Sequence, residues 1–187
     1  MCGIFAYAGG KDAVSVLVDG LSSLEYRGYD SAGVFLPESG AVKSVGAVDN
    51  LKKKLAQNSL HGTSGIAHLR WATHGEPTEI NAHPHHNNNK DVWVVHNGII
   101  ENYKELREAL KKQGCNFVSE TDTEVIAHLI SYNLAKLNDF EKAVTKSLNE
   151  LKGTYGLAIS CAKEPNKING ARMGAPVVLG LGDGQNF

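Results

Sequence analysis

Cys2-Gly3-Ile4-Phe5-Ala6-Tyr7-Ala8, following Met1 and ending at Gly9-Gly10, is the stretch from which the rest of the chain is read. It is short, apolar and bounded by turn residues, so it predicts a strand. Its first residue matters as much as its shape. Cysteine is small enough for Met1 to be clipped, which leaves a thiol and a free α-amine on one residue. Their ordinary pKa values, about 8.5 and about 7.7–8.0, both lie near working pH. One residue then supplies a nucleophile and its own general base. On its own a cysteine at position 2 is far more often an accident of sequence, and only the blocks further along the chain raise the catalytic reading above that.

Outward from that strand, Val14, Leu17, Val18, Leu21 and Leu24 recur at helical spacing over 12–26. Arg27-Gly28-Tyr29-Asp30 breaks the pattern. Residues 31–36 and 41–48 are strand-like and separated by Pro37 to Gly40, which predicts a hairpin. A short helix fits 49–57, and a strand fits 65–72. The segment 73–89 lacks periodicity but joins two strong strands, as functional loops do. Strand 91–96 comes next, then amphipathic helices over 100–112, 122–136 and 139–151. The tail alternates strand-like GTYGLAISCA, KINGARM and PVVLGLG. Several strand-to-strand links are too short for a helical crossover, so antiparallel pairing is expected. The helices need a sheet face to bury their apolar stripes. Periodicity alone therefore gives a layered α+β domain over 1–187.

Composition narrows the function classes. Nineteen basic against twenty acidic residues give a net charge of −1, which offers no attraction to nucleic acid or an anionic membrane. The apolar run 11–20 is too short and too charged to span a bilayer, and no signal-peptide pattern opens the chain. Cys2, Cys115 and Cys161 are odd in number and form no CxxC pair, which argues for a reducing cytoplasm.

Three further blocks carry chemistry. Arg70-Trp71-Ala72-Thr73-His74-Gly75 ends a strand and enters the long loop. There Arg70 presents a planar fork suited to a carboxylate, Thr73 and His74 add donors, and Trp71 covers a small ligand. The plainer reading makes Arg70 a salt-bridge partner and Trp71 core. Asn97-Gly98 suits a hairpin turn. Between a strand and a helix it would instead aim the Asn amide and the Gly N–H at one point, forming an oxyanion hole. In Ser119-Glu120-Thr121-Asp122-Thr123-Glu124 the spacing Thr121 to Glu124 is that of a capping box. On spacing alone Asp122 serves the helix's positive end. Its alternative task is to hold a ligand ammonium. A metal at His83-Pro84-His85-His86 is set aside, since three histidines in four residues across a proline rarely share one ion and no cysteine lies nearby. Gly180-Leu181-Gly182-Asp183-Gly184 lacks the following helix of a phosphate cradle.

Taken in order, Met-Cys-Gly-Ile, Leu24-Glu-Tyr-Arg-Gly-Tyr-Asp-Ser-Ala-Gly33, Arg70-Trp-Ala-Thr-His-Gly75, Asn81-Ala-His-Pro84, His96-Asn-Gly-Ile-Ile-Glu-Asn-Tyr103 and Ser119-Glu-Thr-Asp-Thr-Glu124 closely resemble one family. It is the class II, N-terminal-nucleophile glutamine amidotransferases, in the hexosamine-forming branch of glutamine–fructose-6-phosphate aminotransferases. The resemblance spans nearly the whole chain and implies a four-layer αββα sandwich of two antiparallel sheets between helices. It implies Cys2 as nucleophile, Asn97 and Gly98 as oxyanion hole, and Arg27 as an arginine that orders the nucleophile's surroundings. Arg70, Thr73 and His74 would hold the glutamine α-carboxylate, Asp122 the α-ammonium, and Trp71 would lie in the closing loop. No metal or organic cofactor is implied. Leu69 departs from the family's small polar residue. The resemblance also implies a glutaminase domain incomplete at its C-terminus, without the isomerase domains of a larger, homodimeric enzyme that passes ammonia to fructose 6-phosphate. Two alternatives stand beside it. One is the phosphoribosylpyrophosphate amidotransferase, whose usual His-Arg-Gly-Gln-Glu-Ser differs from Tyr26-Arg27-Gly28-Tyr29-Asp30-Ser31. The other is a silent glutamine-binding fragment, should Met1 be retained.

Overall fold

The computed structural model describes residues 2–71 and 75–187. Two sheets stack face to face, each covered outside by helices, which is the αββα sandwich expected. The first sheet is built from β1 (Gly3–Ala8), β2 (Ser31–Leu36), β3 (Gly40–Val45), β4 (Ser64–Arg70) and the two-residue strands β9 (Leu181–Gly182) and β10 (Gln185–Asn186). Among the described residues its order is β3-β2-β4-β1-β10-β9. The second runs β5 (His85–His86), β6 (Val92–Ile100), β7 (Gly153–Cys161) and β8 (Ile168–Met173). Every ladder pair among the described residues is antiparallel, as the short links require.

The period-two alternation of the strands assigns each face. In β4, Ala67 and Leu69 pack under helices α1 (Ala13–Ser23) and α2 (Val48–Leu55), whereas Ile66 turns toward the other sheet. In β6, Val92 and Val94 pack under α4 (Glu124–Leu137) and α5 (Phe140–Glu150), whereas Trp93 and Val95 face inward. Phe35 and Trp93 meet across the seam with stacked rings 4.3 Å apart, an arrangement worth about 1 kcal/mol beyond burial. The register Gly3↔Leu69 to Ala8↔Ser64 sends Ile4 and Ala6 into the same seam.

Five expectations are corrected. The helix over 12–26 ends at Ser23 and gives way to one 3₁₀ turn, Glu25–Arg27. Gly28 backs onto the Arg70 carbonyl, where a Cβ would sit 3.0 Å away. The helix over 100–112 starts only at Tyr103 (α3, Tyr103–Lys111), because β6 keeps its ladder with β7 as far as Ile100↔Gly153. Asn97-Gly98 thus lies inside a strand rather than at a strand–helix junction. The capping box is not formed either: Thr123 is the N-cap and makes no side-chain cap bond. The Glu124 carboxylate instead accepts from the Val118 and Ser119 N–H groups and the Ser119 hydroxyl. Of PVVLGLG only Leu181–Gly182 enters a ladder, closed by a turn at Asp183-Gly184 onto β10. β10 pairs with β1 at Ala8↔Asn186.

Candidate active site

The inward faces of β4 and β6 meet at the end of the seam where β1 begins. Cys2, just ahead of β1, continues the inward parity of Ile4 and Ala6. Its carbonyl oxygen accepts from Asn97 Nδ2 at 3.2 Å and from Arg27 Nε at 3.1 Å. Its sulfur accepts from the Trp71 N–H at 3.2 Å, and the thiol lies 3.5 Å from the Trp71 carbonyl. Burial pushes the Cys2 thiol up from its ordinary value, and the Trp71 N–H and the Arg70 charge oppose this without cancelling it. The thiol is therefore protonated near neutrality and needs a base before it can attack.

Arg27 reaches Cys2 because the 3₁₀ turn swings it over the start of β1. Arg70 is buried at the end of β4, and its terminal nitrogens donate to the carbonyls of Gly75 (3.1 Å) and Glu76 (3.2 Å). The fork that was expected to meet a ligand carboxylate thus also ties down the turn after residue 74. Cys2, Asp30, Asp122 and Glu120 all act electrostatically on Arg70. Trp71 is 44% exposed and packs edge-on against Tyr29, with ring centres 5.7 Å apart. Thr73 and His74 lie outside the described residues, and so does Met1.

Asp122 is buried, and its Oδ2 accepts from the Ile100 N–H at 2.7 Å. His96 Nδ1 lies 4.0 Å from the same oxygen and 2.9 Å from the Thr123 hydroxyl. Gly98 has φ +140°, and a Cβ there would fall 2.0 Å from the Thr154 carbonyl oxygen, so only glycine fits this ladder position. Arg27, Asn97 and Trp71 therefore each contact Cys2, while Arg70 feels the charges of both Cys2 and Asp122.

Two residues to which the sequence reading gave no role of their own bear on this cluster. His68 Nε2 lies 3.0 Å from Asn97 Oδ1 and 3.1 Å from the His96 carbonyl. Asn81 donates to the Glu76 carbonyl and to Glu120 Oε2, and accepts from the Glu120 N–H. It thereby fastens the turn that Arg70 holds to the segment bearing Asp122. The signal for His68 was its spacing: two residues before Arg70 in a strand, it must share that side chain's face. The histidines of 83–86 do not form a metal set among the described residues. His83 stacks on His68 at 4.0 Å and meets His85 edge-on at 4.6 Å. Burial lowers all three well below the ordinary histidine value, His68 to about 3, so the stack is neutral.

A glutamine amidotransferase domain model matches residues 68–173. Among curated proteins, the glutamine–fructose-6-phosphate aminotransferase (isomerizing) of Clostridium tetani is 49% identical over 100% of this chain and 31% of its own length. That of Aquifex aeolicus is 50% identical over 100% of this chain and 32% of its own. Among solved structures, the glutamine phosphoribosylpyrophosphate amidotransferase of B. subtilis, complexed with ADP and GMP, is 29% identical. It superposes with a TM-score of 0.73 over 87% of this chain and 35% of that one. The chain spans about a third of the length of the curated relatives it matches.

Proposed function

The chain belongs to the glutamine amidotransferase family, and from that premise we infer that it hydrolyses glutamine to glutamate and ammonia at Cys2. The observation that carries this reading is the convergence of Asn97, Arg27 and the Trp71 backbone on residue 2. Removal of Met1 frees the Cys2 α-amine. That amine takes the thiol proton, which the raised thiol pKa makes necessary, and the thiolate attacks the side-chain amide carbon of glutamine. The resulting oxyanion is stabilised by Asn97 Nδ2 and the Gly98 N–H, donors worth about 3–4 kcal/mol each in the transition state. The C–N bond breaks, and ammonia leaves with the proton held by the amine. Water then cleaves the γ-glutamyl thioester, releasing glutamate and restoring the thiol.

Selectivity for free glutamine follows from a positive and a negative group at the same site, Arg70 (with Thr73 and His74) for the α-carboxylate and Asp122 for the α-ammonium. A buried ion without a partner costs several kcal/mol, so a substrate lacking either charge is rejected. Trp71, exposed at the rim, covers the bound substrate. In an enzyme of the length of these relatives, the ammonia would go to fructose 6-phosphate. Identity near 49% over the whole chain favours this acceptor over phosphoribosylpyrophosphate, whose enzyme shares 29%. The three free cysteines suit work in the cytoplasm, and among the described residues no helix is long and apolar enough to cross a membrane.

The test is glutamate and ammonia release by Met1-free chain, with intact mass confirming the N-terminus. Turnover by the wild type and none by Cys2→Ala supports the reading. Equal release by both, or none by a demonstrably Met1-free wild type, ends it.

A further inference from the structure

The geometry points to His68 as a positioning residue for Asn97: its Nε2–H holds the Asn97 amide oxygen and so turns the Asn97 NH₂ toward residue 2. The catalytic consequence rests on the glutaminase reading above, whereas the orientation of the amide does not depend on it. An Asn side chain has two faces of nearly the same shape, one a donor and one an acceptor. Something must decide which faces the nucleophile. The decision begins at the His96 carbonyl, a backbone acceptor that cannot be turned over, 3.1 Å from His68 Nε2. That contact requires the hydrogen of His68 to be on Nε2. The same N–H lies 3.0 Å from the Asn97 side chain, so the Asn97 oxygen must face it. Asn97 Nδ2 is then left pointing at the Cys2 carbonyl oxygen, 3.2 Å away, where it donates. The reverse orientation would set an NH₂ against an N–H and an oxygen against an oxygen, losing both bonds.

The ring is held for this task from all sides. It is 1% exposed, on the inward face of β4, and stacks on His83 at 4.0 Å with an interplanar angle of 14°. Its Nδ1 is buried and has no hydrogen-bond partner among the described residues. A buried polar atom left bare is a cost that folding alone does not call for. The imidazole is retained here for the bonds of its other nitrogen.

Three variants of the full chain test the assignment through kcat and KM for glutamine. His68→Leu is expected to lower kcat about 10-fold to 100-fold, less than the roughly 10²–10³ for losing an oxyanion donor outright, with KM unchanged within about twofold. His68→Gln, whose side-chain NH₂ can replace the Nε2–H, is expected to recover most of that loss. In an Asn97→Ala background His68→Leu should cost nothing more, because there is no amide left to aim. An equal loss in both backgrounds, or a rise in KM with kcat intact, overturns the assignment. Should His68→Leu fail to fold, or the wild type fail to turn over glutamine, nitrogen NMR of the wild-type imidazole decides the matter by itself. A His68 tautomer with its hydrogen on Nε2, and an Asn97 NH₂ showing cross-peaks to residue 2, sustains it. Hydrogen on Nδ1 overturns it.

Discussion

Asn97 Nδ2 donates to the carbonyl oxygen of Cys2 across 3.2 Å, although ninety-five positions separate the two in the chain. The contact joins the two sheets at the end of their seam, so the proposed oxyanion donor and nucleophile belong to different layers. Asn97→Ala should lower kcat for glutamine by about 10²–10³ while changing KM little, since the bond to the substrate oxygen strengthens only as charge develops. Steady-state kinetics with saturating glutamine measures both quantities.

Gly98→Ala tests the ladder beneath that donor. A Cβ at φ +140° would meet the Thr154 carbonyl oxygen at 2.0 Å, so β6 and β7 must part locally. A loss of about 2–4 kcal/mol is expected in urea unfolding, in the range of strained backbone and overpacking together. A variant as stable as the wild type would show that the β6–β7 register yields easily.

The Cys2 thiol is raised by burial, so its reactivity should follow a pH curve displaced to the alkaline side of a free cysteine's. Alkylation by iodoacetamide, followed at the N-terminal peptide by mass spectrometry, should keep rising with pH where free cysteine has levelled off. A curve displaced toward acid would mean that the Trp71 N–H and Arg70 outweigh burial.

Asp122→Asn separates charge from scaffold. The Asn oxygen can still accept from the Ile100 N–H, so the fold should hold. Losing a charge-assisted bond to the substrate ammonium should raise KM for glutamine about 10-fold to 100-fold, equivalent to about 1.5–3 kcal/mol. The variant should also discriminate less against glutamine with a blocked amine, which competition assays read directly.

Glu124 carries an acid-stability prediction. Burial raises its pKa, but His128, the Ser119 hydroxyl and the Val118 and Ser119 N–H groups outweigh burial and bring it to about 2. The His128 contribution is a 3.6 Å electrostatic contact rather than a hydrogen bond. A folded-state pKa below the unfolded value means stability that is present above about pH 4.5 and lost as pH falls toward 2. Allowing for screening, about 2 kcal/mol is involved. Glu124→Gln should therefore be less stable than the wild type at pH 7, with the gap narrowing between pH 5 and pH 3 in urea titrations.

The layers were legible in the sequence because strands and helices announce themselves by period. The short apolar runs in GIAHLRWA and DVWVVH and the helical spacing in 12–26 and 122–136 lead as far as a layered α+β domain. What escaped was whatever depends on partners distant in sequence. Thr121 to Glu124 has the spacing of a capping box, yet Glu124 turns back to Val118 and Ser119 because Arg107 and His128 flank it from other turns. Asn97-Gly98 has the composition of a turn, yet β7 supplies a ladder partner that carries the strand through it. His68 looked like any polar residue in an apolar strand, and only the packing of β4 against β6 gives it Asn97. The blocks around Cys2, Arg27, Arg70 and Asp122 were read as chemistry through their resemblance to a known family, since spacing alone left Arg70 as a salt-bridge partner and Asp122 at a helix end.

The alternation that turns Ile4 and Ala6 into the seam has a bearing on protein engineering. Deleting or inserting a single amino acid between Gly3 and Ala8 would reverse the sidedness of everything upstream and carry the sulfur to the helix-covered surface. Length variation is better directed to the exposed turn over 112–114, which follows the end of α3 at the surface.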